Sequence, residues 1–583
     1  MSILPFLTNP TLVSGEGAIA AAIFARLRRD GRAARLLAPA ELTPRGLNRA
    51  ETLILADPAD AAASVAHALD LCTNRLRGRA PLRLILAHRE DWPAGLPTGV
   101  SQAAPVCIEG FALEAQAARA LLTAYPLHTG FDPLFGQVPH LLIAGAAPPA
   151  LALLGHAMRL AQQGDGSPAF TLAVDQPVAW RAAVLAVYPQ AERCCGLRFT
   201  RLADPNLAGA PPVTGVWIFL DPPESGLDAA LSLAARVREG QGIAPPIHLD
   251  VGDATPAAGI DDWDGQILPV SWLDAACGAQ ALLDGRGDRL AQVIHEHYRD
   301  TTEAQGRNPA LEPAGRPWAV LDESYRDASR YQADHLGAKL AATDCRTVPL
   351  AEAPAFAFAP LEVERLAEIE HRRWAADRYL NGWIYAPVRD NSLRHHPQLV
   401  PYADLSEPMK DLDRYVVRLV PTLLARSGKA LVRGLVVGIA EAGPAVPAGR
   451  RTRRLLDSCL RRLSERYPDR GLIMATTLAD PVARLMAARA LDDFDAALWL
   501  LCPIPLPDLL GVQPDPAARR DLLRLVERAE RRIGLPGTAG LADWLGRRAQ
   551  VLVLPGEAPT PTSPARQVRL DPGRDGLTWG FEY

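Results

Sequence analysis

VWIFLDPPESGLDAALSLAARVREGQGIAPPIHLDV, residues 216–251, reads as strand, Asp-Pro turn, helix, glycine and strand. A short apolar run, a helical pattern and a second apolar run mark a parallel βαβ unit, because parallel neighbours need a long crossover that a helix supplies. AETLILADPADAAASVAHALDLCTNRLRGRAPLRLILAH, residues 50–88, has the same order. A shift of 164 positions superposes Ile54 on Ile218, Asp57-Pro58 on Asp221-Pro222, Leu69 on Leu233, Gly78 on Gly242 and Ala80-Pro81 on Ala244-Pro245. The gap-free match predicts a duplicated α/β unit within the first 300 residues.

Working outward, 583 residues exceed what one hydrophobic core sustains, so an α/β multidomain chain is expected. Hydrophobic content of 48% and charged content of 22% are those of a soluble globular protein. A formal net charge of −4 argues against nucleic-acid partners and anionic membranes. The opening MSILPFLTNPTLVSGEG lacks the positive region of a secretory signal, and no run of eighteen apolar residues follows. A cytoplasmic location without membrane insertion is expected. The eight cysteines form no CxxC and no zinc spacing, so reduced thiols and no metal are expected. Only three lysines occur among 62 basic residues, so arginine clusters follow from composition. In GRRTRRLLDSCLRRLSERYPDR, residues 449–470, Leu455, Leu456, Cys459, Leu460 and Leu463 form an apolar stripe, which predicts an amphipathic helix rather than an RNA-binding one.

The second unit opens with VPHLLIAGAAPPALALLGHAMRLAQQG, residues 138–164, where a dinucleotide fold would carry GxGxxG. Only Gly145 survives; Ala147 and Ala150 replace the other glycines, and Pro148-Pro149 removes two N–H donors. Asp175 follows Gly145 by 30 residues, where about 20 is usual for a ribose-binding acid. The region resembles the nucleotide-binding domain of potassium-uptake regulators (TrkA-N-like) with its loop eroded. The resemblance implies either a structural scaffold or a site that keeps Gly145 and Asp175 for a nucleotide. No cofactor is expected.

A third stretch, EIEHRRWAADRYLNGWIYA, residues 368–386, continues a helical pattern in which Val363, Leu366, Ala367, Glu370 and Trp374 share one face. Ile369, Ala376 and Leu380 line a second strip. A carboxylate among apolar neighbours needs a partner: an arginine, a backbone N–H or His371. Asn381-Gly382 suits a helix C-cap, and Ser406 with Glu407-Pro408 opens the next helix. Residues 316–425 resemble the ryanodine-receptor repeat (RyR) domain. The match rests on Glu370-His371, Trp374, Gly382-Trp383, Tyr385, His396-Pro397, Pro401-Tyr402, Leu405, Lys410 and Asp413-Arg414, with Tyr325, Ser329, Ala333 and Leu336 upstream. The family often carries Asn where Ala328 or Ser329 stands here. The resemblance implies a small, mainly helical, non-catalytic domain that senses nucleotide-like ligands or mediates assembly. Candidate ligand residues are Glu370, His371, Trp374, Trp383, Tyr385, His396 and Tyr402. Fastening helix to loop and lining a ligand surface both remain open for them. General acid–base work by Glu370 lacks an accompanying nucleophile or metal set. His395-His396 and His295-Glu296-His297 lack the further spaced ligands of a metal site.

After Gly428 the α/β pattern returns: ALVRGLVVGIAEAG, GLIMATTLA, AALWLLCPIPLP and QVLVLPGEAP read as strands. Their order resembles the Rossmannoid (SLOG-like) domain of DprA-like proteins, lysine-decarboxylase-like phosphoribohydrolases and the sensor region of melastatin-type channels. In TTLADPVARLMA, residues 476–487, Leu478, Ala479, Arg484 and Leu485 match the family pattern, while Pro481 replaces a glycine and Ala483 an aspartate. TPTSPARQ, residues 560–567, stands where a Gly-Gly-Thr turn would present phosphate-binding N–H groups. Retained strands with lost anion-binding chemistry are therefore expected.

The expected organisation is a Rossmann-like module over 1–135, a second over 136–300, the RyR domain over 316–425, the SLOG-like domain over 429–556 and a poorly ordered tail over 557–583. The expected function is a non-catalytic cytoplasmic bacterial sensor or scaffold, with a nucleotide-derived small molecule and further proteins as partners. One rival is a nucleotide N-glycosidase or phosphoribohydrolase using Glu441. The other is a nucleotide-binding regulator of a potassium transporter.

Overall fold

The computed structural model describes residues 11–73, 80–89, 99–100, 105–164, 166–220, 222, 225–252, 266–352, 355–441, 448–513, 515–555, 565–571 and 576–580. Gly78 and Asp221 of the repeat, and 560–564 of the late turn, lie outside these residues.

The first sheet runs, in spatial order, 34–37, 11–14, 52–56, 82–88, 106–112 and 99–100; all pairs are parallel except the last. Its central strands are buried on both faces. Leu53, Leu55, Leu84 and Leu86 pack into one helical layer, Ile54, Ile85 and Ala87 into the other. Continuous apolar runs are what a sheet covered on both sides requires. Asp60 caps the crossover helix Ala61–Cys72 by accepting from the Ala63 N–H at 2.8 Å.

The second sheet runs 267–270, 247–250, 215–218, 140–144, 169–174 and 196–201, all parallel. Numbered along the chain from 140–144, its strands stand in the order 3-2-1-4-5-6 of the doubly wound Rossmann fold. Strand 215–218 lies beside the first strand of its sheet, as 52–56 does, and 247–250 follows outward, as 82–88 does. The repeat in the sequence is thus the second half of a shared topology. The second sheet adds one strand, 196–201, on its far edge.

His140 opens the central strand fully buried, with Nδ1 2.6 Å from the Pro211 carbonyl and Nε2 2.9 Å from the Thr171 hydroxyl. Burial pushes it down to about 4. The unfolded chain therefore binds the extra proton first, and His140 withdraws stability as the pH falls from about 6.5 to 4. The loss approaches about 1.4 kcal/mol per pH unit. Urea midpoints at pH 7, 6 and 5 are expected to fall less steeply for His140→Gln than for the unsubstituted chain. Parallel profiles would contradict this.

The C-terminal sheet runs 531–534, 497–502, 470–476, 429–439, 551–555, 566–571 and 576–580. Strand 429–439 has a third neighbour, on its first half: Cys345–Pro349 pairs antiparallel with it, from Cys345 opposite Arg433 to Pro349 opposite Lys429. The helices Pro360–Leu380 and Glu407–Arg426 thus form an excursion between two adjacent strands of one sheet. Two described stretches of the expected tail are strands. Arg566–Asp571 pairs parallel with 551–555, whose edge offers unpaired backbone groups, and Gly576–Gly580 pairs antiparallel with Arg566–Asp571. Helix Arg450–Arg466 buries Leu455, Leu456, Cys459, Leu460 and Leu463, the stripe read from sequence.

The units interlock through buried charge. Asp132, fully buried ahead of the second sheet, accepts from the Trp544 indole (2.9 Å) and the Arg548 guanidinium (2.8 Å) of the C-terminal unit. Among the described residues no helix is long and apolar enough to cross a membrane.

Candidate functional site

Helix Pro360–Leu380 begins at a proline, and the Glu362 carboxylate turns back to accept from the Ala359 N–H at 2.6 Å. It ends at Asn381, with Gly382 in the left-handed region at φ 78°. On its inner face Glu370 is 4% exposed and accepts from Lys339 and from Arg373, each at 2.7 Å. Burial alone would raise the Glu370 carboxyl, but Arg373 and Lys339 outweigh it and hold the group well below the usual carboxylate range. Burial likewise pulls the Lys339 ammonium down, against the pull of Glu370. A carboxylate locked between two cations has no proton to give and takes one up only reluctantly. This geometry fastens the helix to Lys339.

His371 ties the same helix to the following loop: Nε2 lies 2.8 Å from the Val400 carbonyl and Nδ1 3.3 Å from the Asp413 carboxylate. Burial raises the Asp413 carboxyl above its ordinary value. Trp374 is half-buried, 5.6 Å from the His371 ring and edge-on to His396 at 4.9 Å.

These groups border a groove of about 360 Å³ between helices Arg289–Ala304, Glu323–Asp334, Pro360–Leu380 and Glu407–Arg426. Tyr298, Tyr325 and Trp374 supply aromatic walls; Arg378, Gln398 and Asp413 supply polar groups. The Arg378 Nε is buried without a hydrogen-bond partner, while its guanidinium covers Trp383 at 5.6 Å. Of the seven candidates, Glu370, His371 and Trp374 line the groove, and the others do not. Trp383 and His396 meet each other behind Trp374 at 6.0 Å. Tyr385 is 54% exposed on the loop. Tyr402 is buried, and its hydroxyl donates to Glu364 at 3.0 Å. Tyr298 and His295 were not read as part of this site, because they arrive from a helix upstream of the recognised segment. His295 lies with Nε2 2.7 Å from the Arg316 carbonyl.

The phosphate-loop candidates are shaped otherwise. Gly145 has φ 100°, and a Cβ there would fall 1.9 Å from the Phe219 carbonyl oxygen, so this glycine permits two strand ends to meet. Asp175 is exposed at the end of the neighbouring strand. Helix Pro148–Leu160 opens with two prolines, and its next N–H, from Ala150, is bonded to the Ala147 carbonyl at 2.9 Å. In the C-terminal unit, Asp480 caps its own helix by accepting from Val482 (2.8 Å) and Ala483 (2.9 Å). Arg484 donates inward to the carbonyls of Leu478 and Ala479. An incoming phosphate would have to displace these contacts. Glu441 is exposed and accepts from the Thr477 hydroxyl at 3.3 Å.

Ion pairs fasten helix Pro360–Leu380 to both sides. Arg159 of the second unit pairs with Asp377 at 3.1 Å, and its guanidinium lies 4.8 Å from the Tyr331 ring. Arg433 of the C-terminal sheet pairs with Glu362 at 2.6 Å.

Comparison with known proteins gives one family match, the RyR domain, over residues 360–431. Among solved structures, the apo form of Rhodotorula graminis D-mandelate dehydrogenase aligns at 12% identity and TM-score 0.20, over 48% of this chain and 95% of that one. An ABC-transporter solute-binding protein from Aeropyrum pernix K1 aligns at 10% identity and TM-score 0.22, over 63% and 99%. Alignments this loose carry no argument about the whole chain, whose α/β class rests on its own strand order. The two long helices and the loop that joins them form an RyR domain.

Proposed function

We propose that the chain is a non-catalytic sensor or scaffold whose RyR groove takes up a nucleotide-derived ligand and passes its occupancy to the α/β units on either side. The observation that carries this reading is the contrast between sites. The groove keeps aromatic faces and the Arg378 side chain, whereas the helix N-termini of the two phosphate-loop candidates lack donors or have them occupied by the chain itself. Trp374, Tyr298 and Tyr325 suit a stacked base, and Arg378 suits an oxyanion. On this reading the TrkA-N-like and SLOG-like units serve assembly, in bacterial signalling or defence.

The test is a thermal-shift screen of the full chain against ATP, AMP, NAD, ADP-ribose and cyclic oligonucleotides. A ligand at 100 times its dissociation constant stabilises by about 2.7 kcal/mol. Trp374→Ala is expected to weaken the active ligand about tenfold or more, the worth of one stacked base. A silent panel, or a shift that Trp374→Ala leaves intact, would remove the groove as the sensor.

A further inference from the structure

A larger cavity, of about 680 Å³, lies where three parts of the chain converge. Trp217 and His248 come from the second sheet, Gly337 from the short helix Leu336–Ala341, and Trp499, Arg531 and Arg532 from the C-terminal sheet. None of the sites read from the sequence touches it.

Two polar groups on its walls are buried without partners. Arg531 is 6% exposed, and its Nη1 has no hydrogen bond. The Trp499 ring, 4.2 Å from the guanidinium carbon, holds it in place. His248 is 5% exposed, and its Nδ1 has no hydrogen bond. The imidazole is stacked on Trp217 at 4.0 Å and tilted against Tyr125 at 4.4 Å. Buried polar atoms are nearly always satisfied, and one left open carries a penalty comparable to a lost hydrogen bond. Two unsatisfied groups on residues that line one cavity, supplied by separate sheets, point to an occupant.

The surrounding charges indicate its nature. Asp344 accepts twice from Arg548 (2.8 and 2.9 Å), Asp132 accepts from Arg548, and Glu530 faces Arg346 at 3.5 Å. Glu527 and Arg532 complete the set. Acids and arginines therefore balance, leaving one open guanidinium edge rather than the strong positive field a polyphosphate needs. Burial, and then the nearby Arg531, hold His128 neutral down to about 3; burial and Arg532 do the same for His248. A single planar oxyanion matches a single guanidinium edge, and Trp217, Tyr125 and Trp499 offer faces for a ring. Gly337 keeps the space open on the third side, where a Cβ would fall 2.4 Å from the His128 ring.

We propose that this cavity binds a small aromatic carboxylate, with the carboxylate on Arg531 and a ring nitrogen or hydroxyl on His248. Because its walls belong to three parts of the chain, the ligand would join them.

The experiment is calorimetric titration of the full chain with nicotinate, indole-3-carboxylate and salicylate, and separately with AMP and inorganic phosphate. At least one carboxylate is expected to bind, and Arg531→Met and His248→Phe are each expected to weaken it about tenfold or more. His248→Phe keeps the aromatic stack, so it reports on the imidazole nitrogens even where Arg531→Met fails to fold. Trp374→Ala, in the RyR groove, is expected to leave this binding unchanged, which separates the two sites. Three outcomes would overturn the proposal: no carboxylate bound up to about 10 mM, carboxylate binding indifferent to both cavity variants, or binding of AMP or phosphate alone with Arg531 dependence.

Discussion

Glu370→Ala is expected to lower the unfolding free energy by about 3–5 kcal/mol, the range for removing one partner from a buried ion group. Lys339 and Arg373 are 2% and 6% exposed, and Glu370 is the acid both of them contact. Its removal leaves two cations in a place that hydrates neither. Lys339→Met is expected to lose less than half as much, since Arg373 still holds the carboxylate through two donors (2.7 and 3.1 Å). Urea unfolding followed by tryptophan fluorescence measures both. A loss below about 1 kcal/mol for Glu370→Ala would mean that water or a ligand already reaches the carboxylate, which would return Glu370 to the binding surface.

Gly145→Ala carries the second large effect. A methyl group there would lie well inside contact distance of the Phe219 carbonyl oxygen, and φ 100° is a region that alanine avoids. Neither atom belongs to a flexible side chain, so both strand ends must shift. Strain and overpacking together are expected to cost about 3 kcal/mol or more. Asp175→Ala, exposed nearby, is expected to change stability by no more than about 0.5 kcal/mol. Thermal unfolding and amide exchange across 140–174 would read the difference. A fully stable Gly145→Ala protein would mean that this glycine is not needed for the strand contact, and would reopen its reading as a remnant of nucleotide binding.

The local pattern disclosed what depends on neighbours in sequence. The repeat joining 50–88 to 216–251 corresponds to strands in matching sheet positions, and the arginine-rich helix buries its apolar stripe. The need for a basic partner at Glu370 followed from its apolar helical face, and Arg373 stands one turn on. Lys339 could not be foreseen in the same way. It approaches from a separate helix, and no periodicity links residues that meet only in the fold. Cys345–Pro349 was hidden for a similar reason. Five residues ending in proline carry little strand signal, and the ladder that makes them a strand lies beyond the whole RyR excursion. The strands after 565 likewise become legible only once the edge of 551–555 is known. In the groove, Trp374 was marked by its family motif, whereas Tyr298 and Arg378 gained meaning only from the walls opposite them.

The ladder between 345–349 and 429–433 also has a mechanical meaning. The RyR excursion leaves from Pro349 and returns at Lys429, which face each other across that ladder. Spreading the two long helices therefore loads the rungs one after another, starting at Pro349–Lys429 and running toward Cys345–Arg433, as a zipper opens. The parallel ladders on either side of strand 429–439, of six and three residue pairs, carry tension along the chain in shear, so that their rungs share the load. The excursion is hinged at its weakest direction and anchored at its strongest. A force too small to disturb the C-terminal sheet could still swing the helices apart.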